Sequence, residues 1–168
     1  VSMMLRDPYE GSSMFAKLLN RVFLDTAPVV AHRNRITYLI ERLRGETARA
    51  AGEGRVARIH NLGCGPAQEV QSFLNTDSIS DEADMLLLDF NDETLVNTTR
   101  VLEDIRARHR RRTGLKFEKK SVHQILKEAG RPAPGQKGYD LVYCAGLFDY
   151  LFDRICRRLL EIFYYMTA

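Results

Sequence analysis

Two short stretches carry residues whose types and spacing suit the binding of a nucleoside. Gly63–Pro66 follows an apolar, β-branched run at 56–62 and precedes an amphipathic segment. A strand, a glycine turn and a helix in this order direct backbone N–H groups and a helix N-terminus at a nucleotide-like ligand. Asp89 follows four consecutive apolar residues, 85–88. A carboxylate at the tip of a second strand accepts hydrogen bonds from both hydroxyls of a ribose.

The elements that must position these stretches follow from hydrophobic periodicity. Strands are predicted over 56–62, 85–88, 115–120 and 139–144, and helices over 11–24, about 29–51, 66–74, 91–112, 121–129 and about 150–165. Pro66 is expected in the first turn of its helix, where the missing N–H costs nothing. The stretches 75–84 and 131–138 have the composition of loops. Strands that alternate with helices imply a parallel sheet covered on both faces.

Composition and charge narrow the classes of protein to which this chain can belong. The 168 residues carry a net charge of 25 − 22 = +3, which is too small to indicate a nucleic-acid partner. The basic run at 106–112 has no interleaved aromatic residue, so we expect a solvated helix end there. Three cysteines favour reduced thiols in a cytoplasmic protein. Neither a membrane span of about 20 apolar residues nor a signal-peptide pattern is present in the sequence.

The two N-terminal helices allow two interpretations. They either cap the ligand crevice or cover an edge of the sheet. Their polar cluster, His32–Arg35, either faces an anionic substrate or forms a solvated helix face. The four histidines are scattered without an i, i+4 pair, so no metal site is predicted.

The glycine turn separates two kinds of cofactor. A dinucleotide fingerprint has glycine or alanine at its sixth position, where this chain has Gln68. The stretch 61–67 instead resembles motif I of class I S-adenosylmethionine-dependent methyltransferases, with Asn61 in place of an acid and Ala67 in place of the third glycine. The stretch 88–91 is similar to motif II of that family, and 139–151 is similar to motif IV.

The resemblance spans about 55–163 and implies a fold, a cofactor and a set of contacts. The fold is α/β, a Rossmann-like three-layer αβα domain at 53–168 with an N-terminal helical appendage at 1–52. The expected cofactor contacts are Asn61, Gly63, Cys64, Gly65, Pro66, Asp89, Phe90, Asn91, Ser121, Val122, Cys144, Ala145 and Gly146. Arg35, Asp149 and Tyr150 are the candidates for contact with the methyl acceptor. No catalytic residue is assigned, and Cys64 is interpreted as a small filler.

Within the family, the stretches 87–95 and 139–160 most resemble a bacterial group that forms methyl esters of 3-hydroxy fatty acids used as signals. This resemblance implies a small-molecule acceptor with a carboxylate. The open alternatives are a non-catalytic nucleoside-binding module and a nicotinamide-dependent oxidoreductase. The family sheet has seven strands and this chain carries four predicted ones, so we expect a fragment, or completion of the sheet by another chain in a homo-oligomer.

Overall fold

A computed structural model describes residue 9 and residues 11–128 and 138–167. The helices in this part of the chain are α1 (Met14–Leu24), α2 (Ala27–Gly52), α3 (Gln68–Thr76), α4 (Asp92–Arg108), α5 (Val122–Glu128) and α6 (Asp153–Thr167). The strands are β1 (Ala57–Leu62), β2 (Ala83–Asp89), β3 (Gly114–Lys119) and β4 (Leu141–Tyr143). Helices alternate with strands from β1 to α6, as predicted.

The four strands form one parallel sheet in the order β3-β2-β1-β4. The chain moves from β1 outward through β2 to β3 and then returns to the other side of β1 with β4. In the register of the central pairs, Ile59 lies opposite both Met85 and Leu141. This parallel sheet flanked by helices confirms the predicted fold class.

Two apolar clusters form the core. The larger one packs α2, α3 and α4 on the sheet and contains Phe73 and Leu87, which are fully buried. The other contains Leu88 of β2 together with Leu159 of α6. Successive side chains of a strand point to opposite faces of its sheet. Leu87 and Leu88 therefore enter different clusters, which explains why residues 85–88 of β2 form a continuous apolar run.

Several boundaries differ from the prediction. Pro66 was expected inside α3, but the helix begins at Gln68 and Ala67 is its cap residue. Tyr150 was expected in the last helix, but it ends a 3₁₀ turn, Phe148–Tyr150, that precedes α6. A second 3₁₀ turn, Ser78–Glu82, lies in the predicted loop at 75–84. Most of the other predicted loop, 131–137, lies outside the described residues.

Helix α1 does not bury the apolar stripe that predicts it. Met14 and Phe15 are 76% and 74% exposed, and Leu18, Leu19 and Val22 are also exposed. The only side chain of α1 that is buried is Leu24 at its end. Periodicity therefore identifies the helix correctly, but the described part of the chain leaves its apolar face uncovered.

Asp140 connects three elements at the amino-terminal edge of the sheet. Its carboxylate accepts hydrogen bonds from Arg49 of α2 at 3.0 Å, from Arg55 at 2.7 Å and from the backbone N–H of Arg58 in β1 at 2.8 Å. The side chain of Asp140 is 5% exposed. The hydrogen bond from Arg55 is the main cause that lowers the pKa of Asp140, against the opposing effect of burial.

We expect Asp140→Asn to lower the free energy of unfolding at neutral pH by about 2 kcal/mol, because hydrogen bonds to a charged, buried group are lost. The Asp140 carboxyl has the lowered pKa in the folded protein. Its contribution to the free energy of unfolding is therefore complete above the unfolded-state pKa of about 3.9, and it disappears as the pH falls through the folded-state pKa. Urea unfolding at neutral pH and at a pH below the lowered native pKa, about pH 2, measures both. The exposed Asp104→Asn is the control, and an equal loss at both pH values would contradict this prediction.

Candidate functional site

A cleft of about 290 Å³ lies at the carboxyl end of the central strands. Its walls come from α2, from the loop 63–67 after β1, from the first turn of α3, from residues 89–90 at the end of β2 and from the segment 145–150 after β4. The chain leaves β1 toward β2 on one side, while β4 lies on the other side. Ligands of parallel α/β sheets bind at such a change of strand order.

The structure brings many of the predicted residues to this cleft. The predicted residues in its lining are Arg35, Gly63, Cys64, Gly65, Pro66, Asp89, Phe90, Ala145, Gly146, Asp149 and Tyr150. Phe90 is 64% exposed and Tyr150 is 87% exposed, so their rings lie at the rim. The lining also includes Glu69 and Leu147, which sequence reasoning missed, and His32, for which it left two roles open.

The remaining predicted cofactor contacts lie outside the lining of the cleft and have structural contacts of their own; they are Asn61, Asn91, Ser121, Val122 and Cys144. Ser121 and Gln124 form a reciprocal cap at the start of α5. The Ser121 hydroxyl accepts a hydrogen bond from the Gln124 N–H at 3.3 Å. The Gln124 side chain accepts one from the Ser121 N–H at 2.9 Å. Val122 and Cys144 pack against the apolar cluster of α6. Asn91 caps α4 by accepting from the Thr94 N–H at 2.9 Å.

Left-handed backbone shapes the loop between β1 and α3. Gly63 and Gly65 have φ of +67° and +52°, and Ala67 has φ of +48°. A Cβ at Gly65 would meet nothing within 4 Å, so backbone alone forms this part of the cleft wall. Alanine has no side-chain acceptor, so the Ala67 side chain accepts no hydrogen bond from the first N–H groups of α3.

Asp89 connects this loop to β2. One carboxylate oxygen accepts from the Gly65 N–H at 2.9 Å, and the other accepts from the Asn91 N–H at 2.9 Å. Thr98 of α4 also holds the loop, because its hydroxyl donates to the Gly65 carbonyl at 2.7 Å. A carboxylate offers about four acceptor positions, so Asp89 can accept further hydrogen bonds from a ligand.

A buried polar cluster lies under the loop. The Asn61 amide donates to Glu69 Oε1 at 3.0 Å and contacts the Tyr143 hydroxyl at 3.0 Å, and that hydroxyl donates to the same oxygen at 2.9 Å. Glu69 is 5% exposed, and this burial raises its pKa. Burial, followed by the nearby charge of Glu69, raises the pKa of Tyr143 well above its usual value.

Arg35 brings a positive charge to the cleft from α2. Its guanidinium donates to His32 Nδ1 at 2.7 Å. Because a guanidinium only donates, His32 is neutral and carries its proton on Nε2. Burial, together with the charge of Arg35, lowers the pKa of His32 accordingly. Gly146, at φ of +85°, makes room for this pair, because a Cβ there would lie 3.4 Å from the Arg35 nitrogens.

Cys64 is unsuited to nucleophilic chemistry. Burial, with the nearby Asp89 charge, raises the pKa of its thiol to about 12. A thiol is a weak nucleophile compared with its thiolate.

Among residues 9, 11–128 and 138–167, we find no group of three histidine, cysteine or acidic side chains that could hold a metal ion. Within the same residues, no helix has the length and apolar character needed to cross a membrane.

Sequence comparison finds neither a matching family model nor a matching curated protein. Structural comparison finds a possible exported protein from Bordetella parapertussis, with a TM-score of 0.67 and 18% identity over 99% of this chain and 48% of that one. Small RNA methyltransferase HEN1 has a TM-score of 0.60 and 13% identity over 81% of this chain and 15% of that one.

Magnesium protoporphyrin IX methyltransferase from Synechocystis PCC 6803, solved with bound S-adenosylmethionine, has a TM-score of 0.59 and 12% identity over 99% of this chain and 65% of that one. The chain thus spans less than two thirds of the length of each of these three structures. At these identities the likeness concerns the fold. The described part of the chain has a four-stranded parallel α/β fold that is similar to the fold of these two S-adenosylmethionine-dependent methyltransferases.

Proposed function

We propose that this chain binds S-adenosylmethionine and belongs to an enzyme that transfers its methyl group to a small-molecule acceptor. The observation that carries the proposal is the pairing of Asp89 with the left-handed loop at Gly65, joined by a hydrogen bond of 2.9 Å. This pairing places a carboxylate beside backbone that carries no side chain. Such an arrangement suits a ribose and the groups bonded to it. The fold shared with methyltransferases supports the same cofactor.

The residues present fit this cofactor. The open space beside Gly65 admits a ligand against the backbone. Asp89 would accept hydrogen bonds from the ribose hydroxyls, and the exposed ring of Phe90 would lie against the adenine. Ala145 and Gly146, which follow β4, would border the methyl group. In this proposal residues 1–52 form an appendage whose helix α2 closes one side of the cleft.

The bound cofactor supplies a methyl group that its sulfonium centre makes electrophilic. The chain must then hold the acceptor in line with that methyl carbon at near-attack distance. A carboxylate is already nucleophilic, so this acceptor needs no general base. We therefore propose a fatty-acid-type carboxylate as the acceptor, with Asp149 and Tyr150 at the rim on its side of the cleft.

Calorimetric titration of this chain with S-adenosylmethionine and S-adenosylhomocysteine tests the proposal. We expect micromolar binding of both, and no binding of NADH. A chain that is folded by circular dichroism but binds neither adenosyl ligand would contradict the proposal. NADH binding that competes with them would favour the oxidoreductase alternative.

The acceptor is tested separately, with radiolabelled S-adenosylmethionine and 3-hydroxy fatty acids of several chain lengths. We expect the radioactive methyl group to appear in a methyl ester of the fatty acid, which base hydrolyses. The matching fatty amides are the control, because they lack the carboxylate. Tight cofactor binding without transfer to any of the acids would remove the fatty-acid proposal and favour the non-catalytic module.

A further inference from the structure

A second cavity of the protein lies between α5 and α6. It is a groove of about 940 Å³, which is within the size range of ligand pockets. None of the residues that line the groove belongs to the lining of the cleft described above. Both helices pack on the apolar cluster that contains Leu88 and Leu159, whereas α2 packs on the other cluster. The groove is therefore separate from the proposed cofactor site and lies on the opposite face of the sheet.

The lining of this groove is electropositive. Four basic and two acidic side chains line it, namely Lys127, Arg154, Arg157, Arg158, Asp153 and Glu161. The difference, 4 − 2 = +2, compares with a net charge of +3 for all 168 residues. His123 also lines the groove, one helical turn before Lys127 and therefore on the same face of α5. Two helices thus contribute positive charge to one groove.

The basic side chains of the groove differ in whether they have an acidic partner. Arg158 pairs with Glu161 on its own helix at 2.7 Å. Within residues 9, 11–128 and 138–167, no ion pair is formed by Lys127, Arg154 or Arg157, and all three side chains are exposed. Their charged groups are therefore available to the carboxylates of a ligand.

The base of the groove is apolar. Leu126 of α5 and Ile155 of α6 are half-buried and lie among the exposed charged residues of the lining. Because a helix rises about 1.5 Å per residue, the part of α6 from Arg154 to Glu161 is about 10 Å long. An apolar base of this length between basic walls matches about two turns of an amphipathic helix with carboxylates beside its apolar face.

A nucleic acid fits this groove less well. None of the lining residues, all of which belong to the described part of the chain, is phenylalanine, tyrosine or tryptophan, so bases find no such ring for stacking. Asp153 and Glu161 would also repel a continuous phosphate backbone. A peptide can place its own charges so that they avoid these two acids.

We propose that the groove between α5 and α6 binds an acidic amphipathic helix of a partner protein. The apolar face of that helix would pack on Leu126 and Ile155. Its carboxylates would pair with Lys127, Arg154 and Arg157. The inference uses no residue of the cofactor cleft, so it goes beyond the proposed function and does not depend on it.

A designed peptide tests this surface. The probe is a fluorescein-labelled amphipathic helical peptide with leucine on one face and glutamate on both flanks. Fluorescence anisotropy with the whole chain should give saturable binding with a Kd below about 100 μM. Added salt should weaken the binding, because it screens exposed charges. Peptides with serine for leucine, or with glutamine for glutamate, should each bind at least about tenfold more weakly.

The chain is altered at its three unpaired cations. We expect the triple variant Lys127→Gln, Arg154→Gln, Arg157→Gln to weaken binding of the probe by about tenfold or more, because three charge pairs are lost together. These side chains are exposed, so circular dichroism should show an unchanged fold.

A second triple variant is the matched control. Arg100→Gln, Arg108→Gln, Arg110→Gln removes the same charge from exposed positions in and just after α4. It should bind the probe like the unaltered chain. Neither triple variant should change the binding of S-adenosylhomocysteine, because none of the altered residues lines the cleft.

A loss of probe binding that is confined to the groove variant supports the inference. A folded chain that does not bind the probe would overturn it, as would equal losses in the two triple variants. A single-stranded DNA oligonucleotide with the charge of the probe is the remaining arm. If the oligonucleotide binds the groove as tightly as the peptide does, the occupant is not an acidic helix and the inference is wrong.

Discussion

Replacing Asp89 by alanine is expected to weaken the binding of S-adenosylhomocysteine by about 100-fold or more. Two ribose hydroxyls would lose a charged acceptor, and each such hydrogen bond contributes about 1.5–3 kcal/mol. The loop would also lose an anchor, because the Gly65 and Asn91 N–H groups both donate to this carboxylate. Titration calorimetry on the two chains, with circular dichroism to establish folding, measures the change.

The matched control for Asp89 is Asp92→Ala. It removes the same charge three residues later, at the start of α4, where Asp92 is exposed and pairs with Lys119. The control should bind the ligand like the unaltered chain. Equal affinities for the Asp89 variant and the unaltered chain would show that this carboxylate does not contact the ligand, and the proposed function would lose its main support.

Replacing Phe73 by alanine is expected to lower the free energy of unfolding by about 3–5 kcal/mol, the usual cost of removing a large buried side chain. Phe73 is 0% exposed and packs α3 into the larger apolar cluster. A domain has only about 5–15 kcal/mol of stability in total, so this variant approaches the limit of folding. Urea unfolding followed by circular dichroism measures the loss.

Phe152→Ala is the control for this loss. The Phe152 side chain is 87% exposed, so its removal should change the free energy of unfolding by less than about 0.5 kcal/mol. Similar losses in both variants would mean that the packing of α3 on the sheet does not determine stability.

The fold was predictable because the sequence pattern and the packing agree. The run 85–88 is apolar throughout, and its residues enter clusters on both faces of the sheet. The short length of β4 was not predictable, because it is set by pairing with β1 over three positions only, from Ile59 to Asn61. The exposure of α1 was not predictable either, since periodicity indicates an apolar face but not what covers it.

The site was predictable where its parts lie at strand ends. The loop 63–67 follows β1 and Asp89 ends β2, and strand ends meet at one edge of a parallel sheet. Glu69 was missed because an acid in the first turn of a helix is ordinary. Its partners Asn61 and Tyr143 identify it only once β1 and β4 are paired. Ser121 stays a predicted cofactor contact, and its cap with Gln124 has a local signature that the sequence also carries.

The loop between β1 and α3 is fastened mainly through its main chain. The Cys64 N–H donates to the Leu88 carbonyl and the Gly65 N–H donates to Asp89, while the Gly65 carbonyl accepts from Thr98. Such bonds do not depend on which side chain occupies positions 64 and 66. The side chain at position 66 can therefore be exchanged while the backbone path is kept, whereas position 64 accepts only a small side chain, because Cys64 is 6% exposed and lies in the larger apolar cluster. Ala67 shows the same tolerance, since it keeps a left-handed φ that glycine adopts at lower cost.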